Sequence, residues 1–276
     1  MPRYLPVIAV CLSALTSNAA VDSLTKATVM ELHNVVRLRE QHAPQDRPAR
    51  KSEEVKGDDL LHTGRAGSMV QIGFNDHITI ARLGSQSAFS FSPTGSLNIA
   101  TGLALVTVQG GKVVCETCAL LAIAHSTAII ESFSQRAAGR PDRCATKIIM
   151  LEGNAEVFTR NGKTRTLQGG QMMVQFADEP DLAEVQEVDL KRLLQESRIV
   201  TGFQSQLPSM AKIQEVVDRQ QRELWLGKLE PTPLTIGGRG AKRYHQSKWD
   251  TDIEAPFDPD VSGGVKENAP PCPTCP

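Results

Sequence analysis

Cysteine is the residue type whose spacing in this chain is most able to do chemistry. Four of the six cysteines form two C-x-x-C pairs, Cys115 with Cys118 and Cys272 with Cys275. Four thiolates can hold a zinc ion in a tetrahedral structural site. However, 153 residues separate Cys118 from Cys272, and the second pair lies in the proline-rich sequence Pro-Pro-Cys-Pro-Thr-Cys-Pro. Disulfide bonds are the expected use of cysteine in an exported chain, so no metal site is predicted.

The disulfide candidates are the cysteines that remain once an N-terminal signal peptide is removed: Cys115, Cys118, Cys144, Cys272 and Cys275. On an extended strand, Cys115 and Cys118 point to opposite faces, which disfavours a bond between them. We expect Cys144 to be bonded to either Cys115 or Cys118, and Cys272 and Cys275 to form a separate local or interchain link. An odd total leaves one thiol free or intermolecular.

Catalytic chemistry has weaker support in the sequence. Four histidines are scattered, without a second metal ligand at i+2 or i+4: His33, His62, His77 and His125. Ser126 and Thr127 lack the G-x-S-x-G context of a hydrolase nucleophile. A thioredoxin-like thiol needs a helix N-terminus, whereas the segments around both cysteine pairs are typical of strand and coil. No catalytic residue, cofactor or metal ion is therefore predicted.

The first twenty residues have the pattern of a cleaved secretory signal. A short positive region is followed by an apolar stretch of 11 residues, Leu5 to Leu15, and by small residues at 17–19. A helix that spans a bilayer needs about 20 residues. We predict cleavage after Ala19 and a mature chain without a membrane span, in the periplasm or outside the cell. An uncleaved anchoring helix is the alternative.

Net charge and C-terminal composition bear on the partners. A formal charge of -1 gives no reason to expect binding to nucleic acid or to an anionic membrane. Residues 229–276 hold half of the sixteen prolines together with a basic and an acidic block, and they lack apolar clusters. We predict a disordered tail there. The expected partner is an envelope protein or polymer, with the tail as one place of contact.

Short apolar runs separated by turn residues indicate the elements that position these side chains. No helical pattern interrupts them between residues 26 and 188. Residues 27–39 fit a strand or a helix, and the β-branched Val29, Val35 and Val36 favour the strand. The predicted fold class is mainly β: an antiparallel short-strand sandwich or a β-helix-like stack, with two C-terminal helices and a disordered tail.

The clearest strands lie between residues 147 and 174. Glu152-Gly153-Asn154, Asn161-Gly162 and Gly169-Gly170 separate four apolar or alternating segments, which predicts a β-meander. Asn-Gly is the dipeptide most suited to a two-residue type I′ hairpin turn. The arginine-rich residues 134–145 are predicted to form an exposed loop before this meander.

Two amphipathic patterns follow the strands. Residues 189–199 place three leucines on one side of a short helix. Ser209 is a candidate N-cap for a longer helix that runs to Leu226 and stops at Gly227. The apolar stripe of the longer helix consists of Ile213, Val216, Val217 and Leu224. The predicted domains are the signal peptide at 1–19, a β domain at 26–188, a helical extension at 189–228 and the tail at 229–276.

A succession of short segments is shared with a known family. They are His62 to Ser68, Arg82-Leu83-Gly84 followed by Phe89-Ser90-Phe91, Leu97-Asn98-Ile99 leading to Gly102, Thr117 to Thr127, Leu151-Glu152-Gly153, Gly170-Gln171-Met172 and Val188 to Leu194. In this order the chain resembles the FecR-like domain family, in its secreted single-domain form, over about residues 26–200. Where the family usually has Thr-Gly-Thr, this chain has His125-Ser126-Thr127. If the glycine serves a turn with a positive φ, either Ser126 strains that turn or the turn has changed.

The resemblance implies an all-β extracytoplasmic domain without known catalytic residues. The family's best-known members relay a signal from an outer-membrane receptor to a cytoplasmic sigma factor, a role that needs a cytoplasmic segment and is not carried over to this chain. We predict a non-catalytic secreted FecR-like binding or scaffolding module of the bacterial cell envelope. The alternatives are a sensory component of envelope signalling with an uncleaved N-terminal anchor, and an envelope hydrolase or oxidoreductase that uses His125, Ser126 or Cys118.

Overall fold

A computed structural model describes residues 24–65, 67–75, 79–92, 95–135 and 142–230. These residues are mainly β, as predicted. The strands are β1 (Lys26–His33), β2 (Val36–Arg39), β3 (Arg47–Pro48), β4 (Glu54–Lys56), β5 (Leu60–Thr63), β6 (Met69–Phe74), β7 (Thr79–Leu83), β8 (Ala88–Phe91), β9 (Ser96–Val108), β10 (Val113–Glu116), β11 (Leu120–Ala124), β12 (Thr127–Gln135), β13 (Arg143–Met150), β14 (Asn154–Thr159), β15 (Thr164–Gln168), β16 (Gln171–Phe176) and β17 (Gln186–Glu187). The helices are α1 (Leu190–Glu196), α2 (Arg198–Thr201) and α3 (Met210–Trp225). The strand predicted over residues 27–39 is confirmed as β1 and β2.

The strands pair into two sheets that share β9. Sheet A has the order β4-β1-β6-β7-β9-β12-β13-β16-β17. Sheet B has the order β3-β2-β5-β8-β9-β10-β11-β14-β15. Among the described strands every pairing is antiparallel except that of β9 with β10. The architecture is therefore the sandwich, one of the two that the sequence left open.

The bend that lets β9 serve both sheets lies at Gly102. Gly102 has a φ of +88°, a backbone conformation that side chains with a Cβ rarely adopt. A Cβ there would also lie 2.4 Å from Ser87 Oγ, which is closer than two non-bonded heavy atoms can approach. The first half of β9 pairs with β8 and the second half with β7 and β12. A glycine at this position thus joins the two layers.

Aliphatic side chains between the two sheets form the main core. Along β2, β10 and β11 every second residue is buried, which is the pattern of strands with one face on a core. Phe74 and Phe91 contribute an edge-to-face ring pair with centroids 5.1 Å apart. Most of the remaining core consists of valine, leucine, isoleucine and alanine. This is the burial expected of a chain in which aromatic residues make up only 4%.

The helices form a third layer on the outer face of sheet A. Leu105, Ile129 and Ile149 point outward from sheet A and are completely buried under side chains of α1, α2 and α3. Both faces of this sheet are therefore covered, which explains the unbroken apolar runs of β12 and β13. No helix of the described residues is both long enough and apolar enough to span a bilayer.

The order of strands between residues 147 and 174 differs from the predicted meander. β13 pairs with β16 in sheet A, whereas β14 and β15 form a hairpin in sheet B. The chain crosses between the sheets at Gly153 (φ +63°) and Gly170 (φ +96°), where left-handed backbone turns it out of the plane of one sheet. The strands were located correctly, but consecutive strands were assumed to be neighbours.

Two loops also differ from their prediction. Gly162 has a φ of +76°, Asn161 does not have a positive φ, and the Gly162 N–H donates to Thr159 O at 3.0 Å. These features define a three-residue loop with a type I turn and a glycine bulge, because a type I′ turn needs a positive φ at both central residues. The loop predicted at 134–145 is shorter, since β12 continues to Gln135 and β13 begins at Arg143. Residues 136–141 lie outside the described part.

The helical extension has the predicted length but contains three helices rather than two. Ser197 adopts extended backbone (φ −82°, ψ 109°) and divides the short helix into α1 and α2. Ser209 occupies the N-cap position of α3 as predicted, but its side chain does not cap the helix. The end at Gly227 is confirmed, with Lys228 N–H bonded to Glu223 O and Gly227 N–H to Leu224 O. These two bonds form a Schellman motif. The tail predicted at 229–276 lies outside the described residues beyond position 230.

Candidate functional site

The structure shows which of the two disulfides compatible with the sequence is formed. Cys118 is bonded to Cys144, with Cα atoms 6.2 Å apart. β10 ends at Glu116, so Cys118 lies in the turn beyond it, and Cys144 pairs with Ser134 across β12 and β13. Ala19, Cys272 and Cys275, the other residues in the predicted cleavage and disulfide sites, lie outside the described residues.

Cys115 keeps a free thiol inside the sandwich core. Its side chain is fully buried between the sheets, and this burial raises the pKa of the thiol to about 12. A thiol with so high a pKa is a poor nucleophile and a poor metal ligand at neutral pH. The first C-x-x-C pair therefore consists of one disulfide cysteine and one inert thiol, not of two thiolates that face one ligand.

The side chains that are candidates for a hydrolase site connect strands and helices of the fold. The Ser126 hydroxyl is buried and donates to Glu152 O at 2.6 Å, while His125 is exposed at the same bend. Thr127 Oγ1 lies 2.8 Å from Glu152 Oε1 and 2.6 Å from Ser209 Oγ, and so holds the N-terminus of α3 against β12. Ser126 does not have a positive φ, so it does not strain the turn. Gly153, whose backbone lies opposite Ser126 at this bend, has the positive φ instead. His77 lies outside the described residues.

Arg82 is a buried cation that no chemical motif in the sequence identifies as a candidate site residue. It lies on β7, on the outer face of sheet A, and its side chain is fully buried. Its Nε donates to Gln71 Oε1 at 2.8 Å, its Nη1 to Val200 O at 2.8 Å, and its Nη2 to Ser205 O. Phe203 stacks on the guanidinium, 4.6 Å from the ring centroid. Arg82 thus binds the end of α2 to the sheet.

The protonation state of Arg82 follows from this burial. Loss of solvent lowers the pKa of the guanidinium to about 10, and the nearby carboxylate of Glu31 opposes the shift. With a pKa of about 10, the guanidinium remains charged at neutral pH. Carbonyl oxygens at the C-terminal end of a helix are favourable partners for such a cation. Glu31 also accepts the Gln204 N–H at 3.2 Å. The polar groups of the cluster are bonded to one another and to the backbone, and we interpret it as structural.

The outer face of sheet B differs from that of sheet A. In β5, β11 and β14, outward-facing residues are half-buried or exposed, whereas their inward-facing neighbours are buried. No described helix packs on this face, which we call the open face. Four half-buried apolar side chains form a patch near its middle: Val114, Leu121, Ile123 and Phe158. Val114 pairs with Ile123, and Leu121 pairs with Phe158, so they are direct cross-strand neighbours.

An open depression of about 260 Å³ lies on the same face, towards β2. We call it the basic depression. It is lined by His62, Thr63, Gly64, Arg65, Gln86, Ser87, Ala88 and Thr101. Its floor is rigid, because Thr63 Oγ1 donates to Gly84 O at 2.5 Å and accepts the Ser87 N–H at 2.8 Å. Gln86 at its rim has a φ of +57°, a strained conformation of the kind found at functional sites.

The charges around the basic depression are mostly positive. Arg37 is the cross-strand neighbour of His62, and Arg65 is exposed at the rim. Asp46 is the acidic group nearby: the hydrogen bond from Arg39 Nε, 2.6 Å from its Oδ1, holds the pKa of this carboxyl below its usual value, with smaller contributions from His62 and Arg37. The His62 Nε2 atom is buried and has no hydrogen-bond partner among the described residues.

The sequence contained a weak sign of this site. His62 follows two leucines in a strand pattern, and Arg37 follows Val36, so strand alternation places both on the solvent side. Their proximity depends on the pairing of β2 with β5, which no local pattern reveals. Sequence reasoning therefore treated His62 as one of several scattered histidines.

Comparisons with known proteins include a distant structural likeness. The chain matches no family model and no curated protein. Among solved structures, one that is similar is a crystal structure from Parabacteroides distasonis, provisionally named an anti-sigma factor, with 10% sequence identity and a TM-score of 0.39. The match covers 50% of this chain and 64% of that chain, which is less than two thirds of it. A likeness this distant carries no argument about the role of this chain.

Proposed function

We propose that this protein is a non-catalytic binding module of the bacterial cell envelope that recognises its partner through the open face of sheet B. The partner is an envelope protein or polymer. One group of observations concerns the compartment and the polar side chains, and the other concerns the surface. The uncovered outer face of sheet B is the observation that carries the proposal.

The proposed compartment rests on the disulfide and on the N-terminal sequence. Cys118 and Cys144 are joined in the described part of the chain, and disulfides persist in oxidising compartments. The charged, apolar and small-residue regions of residues 1–19 have the order of a secretory signal. The resemblance of residues 26–200 to FecR-like domains also favours an extracytoplasmic role.

The proposal that the module is non-catalytic rests on what its polar side chains already do. Of the residues that a hydrolase or oxidoreductase would use, Ser126 is held in a buried hydrogen bond and Cys118 in a disulfide, whereas His125 is exposed beside Ser126. The buried Arg82 is bonded to backbone carbonyls and to Gln71. These groups position elements of the fold, and the hydrogen bonds found for the Ser126 hydroxyl among the described residues go to the backbone oxygens of Glu152 and Asn154.

The open face supports binding because it is built differently from the rest of the surface. The helices cover the outer face of sheet A at β9, β12 and β13, so the outward residues there are mostly apolar and buried. Sheet B has the same number of strands but leaves four apolar side chains half-exposed beside the basic depression. Half-exposed apolar clusters next to polar groups are typical of protein interaction sites.

Site-specific photo-crosslinking tests this proposal. Phe158 on the open face is replaced by p-benzoylphenylalanine in the full chain, and Trp225, which is 86% exposed at the end of α3, is replaced in a matched control. Irradiation in intact cells is expected to give one discrete adduct from position 158 and none from position 225. The adduct should disappear when Leu121 and Ile123 are both changed to Gln in the same chain. Adducts from position 225 alone, or none from position 158, would contradict the proposal.

A further inference from the structure

One of the residues that line the basic depression has a polar atom that lacks the partner its burial requires. His62 Nε2 is buried and unpaired among the described residues, and His62 lines the depression. Buried polar atoms of folded proteins are nearly always hydrogen-bonded, and exceptions point to a missing partner. The depression is open to solvent and large enough for one planar group of a few atoms. A ligand atom that bonds His62 would supply the missing contact.

The charges select the kind of ligand. Arg37 and Arg65 form no ion pair or hydrogen bond through their side chains with other described residues, and both lie beside His62. Asp46, the nearby carboxylate, is already bonded to Arg39. An anion that enters the depression would therefore meet Arg65 in its lining, with Arg37 close by as the cross-strand neighbour of His62. Guanidinium groups bind carboxylates in a planar, two-bond geometry, so a carboxylate suits this site.

The remainder of the open face indicates what carries the carboxylate. The strand order β5-β8-β9-β10-β11-β14 places the apolar patch three to five strands from His62, and its first three side chains within four strands. At about 4.8 Å per strand, the distance to these three side chains is about 15–20 Å, which an extended peptide covers with about six residues. Acidic polysaccharide would gain little from this patch, because Phe158 is its only aromatic side chain among the described residues. A peptide with both carboxylate and aliphatic side chains fits both regions.

We propose that His62, Arg65 and Arg37 bind a carboxylate of an acidic, partly apolar peptide segment of a partner protein, and that the next residues of this segment lie on the apolar patch. The inference rests on the proposed function, since it assigns a chemical class to the partner of the open face. It adds that recognition depends on charge at one end of that face and on apolar contact at its middle.

Peptide titration tests the inference. The probe is a fluorescein-labelled eight-residue peptide of alternating Glu and Val, and its control is the same peptide with Gln in place of Glu. Each is titrated with the full chain and followed by fluorescence anisotropy. We expect the Glu peptide to bind at least tenfold more tightly than the Gln peptide. Arg65→Gln or His62→Gln should weaken binding at least fivefold, whereas Arg222→Gln, on an exposed face of α3, should change it less than twofold.

The chain has an acidic run of its own, at Asp250, Asp252, Glu254, Asp258 and Asp260. The titrations are therefore repeated with these five residues as amides, and binding of the Glu peptide by either form meets the expectation. Any of four results would overturn the inference. Two concern selectivity: equal binding of the Glu and Gln peptides, or tighter binding of oligogalacturonate than of the Glu peptide. The other two are unchanged binding by Arg65→Gln and no binding of the Glu peptide by either form of the chain. If the Phe158 crosslink persists in that case, the proposed function stands and only the peptide assignment fails.

Discussion

Single side chains hold the layers of this molecule together, and Arg82 is the clearest case. Alternation along β7 places it on the outer face of sheet A, which a sequence analysis takes as solvent. The structure covers it with residues 199–205, whose carbonyls and Phe203 surround the guanidinium. Sequence patterns report which face a residue occupies but not what lies on that face. The proximity of His62 to Arg37 is hidden in the sequence for the same reason, since Arg37 belongs to another strand.

Replacement of Arg82 should be costly. Arg82→Met leaves the carbonyls of Val200 and Ser205 and the Gln71 amide without their donor in a buried site. Breaking a buried charged cluster of this kind costs about 3–5 kcal/mol of the free energy of unfolding. Urea denaturation of the full chain measures this, with Arg222→Met on the exposed side of α3 as control and an expected change within about 0.5 kcal/mol. A loss below about 1 kcal/mol for Arg82→Met would show that the cluster does not stabilise the fold.

The cysteines should differ sharply in reactivity. In the native chain under non-reducing conditions, Cys115 is expected to resist iodoacetamide between pH 7 and 9, because burial raises the pKa of its thiol to about 12. Unfolding should expose it. Cys118 and Cys144 should become reactive only after reduction, and Cys144→Ser with Cys118→Ser should cost about 2–4 kcal/mol of stability. Peptide mapping by mass spectrometry reads out each site, and native alkylation of Cys144 without reductant would disprove the bond.

At the scale of elements, the sequence located strands well and their partners poorly. Gly153, Asn161-Gly162 and Gly169-Gly170 correctly mark where strands end, because turn residues act locally. Whether the chain after a turn stays in its sheet or crosses to the other depends on the packing of both sheets. Hence β13 to β16 were predicted as one meander, although they alternate between sheets A and B. The open face could not be predicted either, since it is defined by which sheet the helices cover.

The crossing points can be tested with two glycines that share a backbone conformation. Gly153 and Gly162 have φ of +63° and +76°, but a Cβ at Gly153 would lie 2.2 Å from Ser126 Oγ, whereas nothing lies within 4 Å of one at Gly162. Gly162→Ala should cost about 1 kcal/mol, from the backbone conformation alone. Gly153→Ala should cost at least about 1 kcal/mol more, because it also displaces the buried Ser126 hydroxyl. Equal thermal midpoints for the two variants would refute this account of the crossing.

The packing of α3 on sheet A predicts another contrast between matched residues. Ile213 is completely buried against the outer face of sheet A, while Leu226, at the end of the same helix, is 53% exposed. Ile213→Ala should cost about 2–5 kcal/mol, from lost burial and the cavity that remains. Leu226→Ala should change stability by no more than about 0.5 kcal/mol. Chemical denaturation of both variants decides the matter, and similar losses would mean that α3 is not docked as described.

At the scale of the whole molecule, the two sheets have unequal surroundings. Helices α1 to α3 cover sheet A and are bound to it by Arg82, Thr127 and the Ile213 side of α3. Sheet B keeps an outer face with an apolar patch at its middle and the basic depression at one end. A rigid sheet with one uncovered face suits recognition, because its contacting side chains lose little freedom on binding.

The most direct test of this account is the affinity of the partner identified by the Phe158 crosslink for three forms of the full chain. The forms are the natural sequence, a variant with Leu121→Gln and Ile123→Gln on the open face, and Trp225→Gln as a control at the end of α3. The account predicts at least tenfold weaker binding for the open-face variant, less than a twofold change for Trp225→Gln, and a partner whose mass is unchanged after incubation. Unchanged affinity of the open-face variant, or a partner that has been chemically altered, would contradict it.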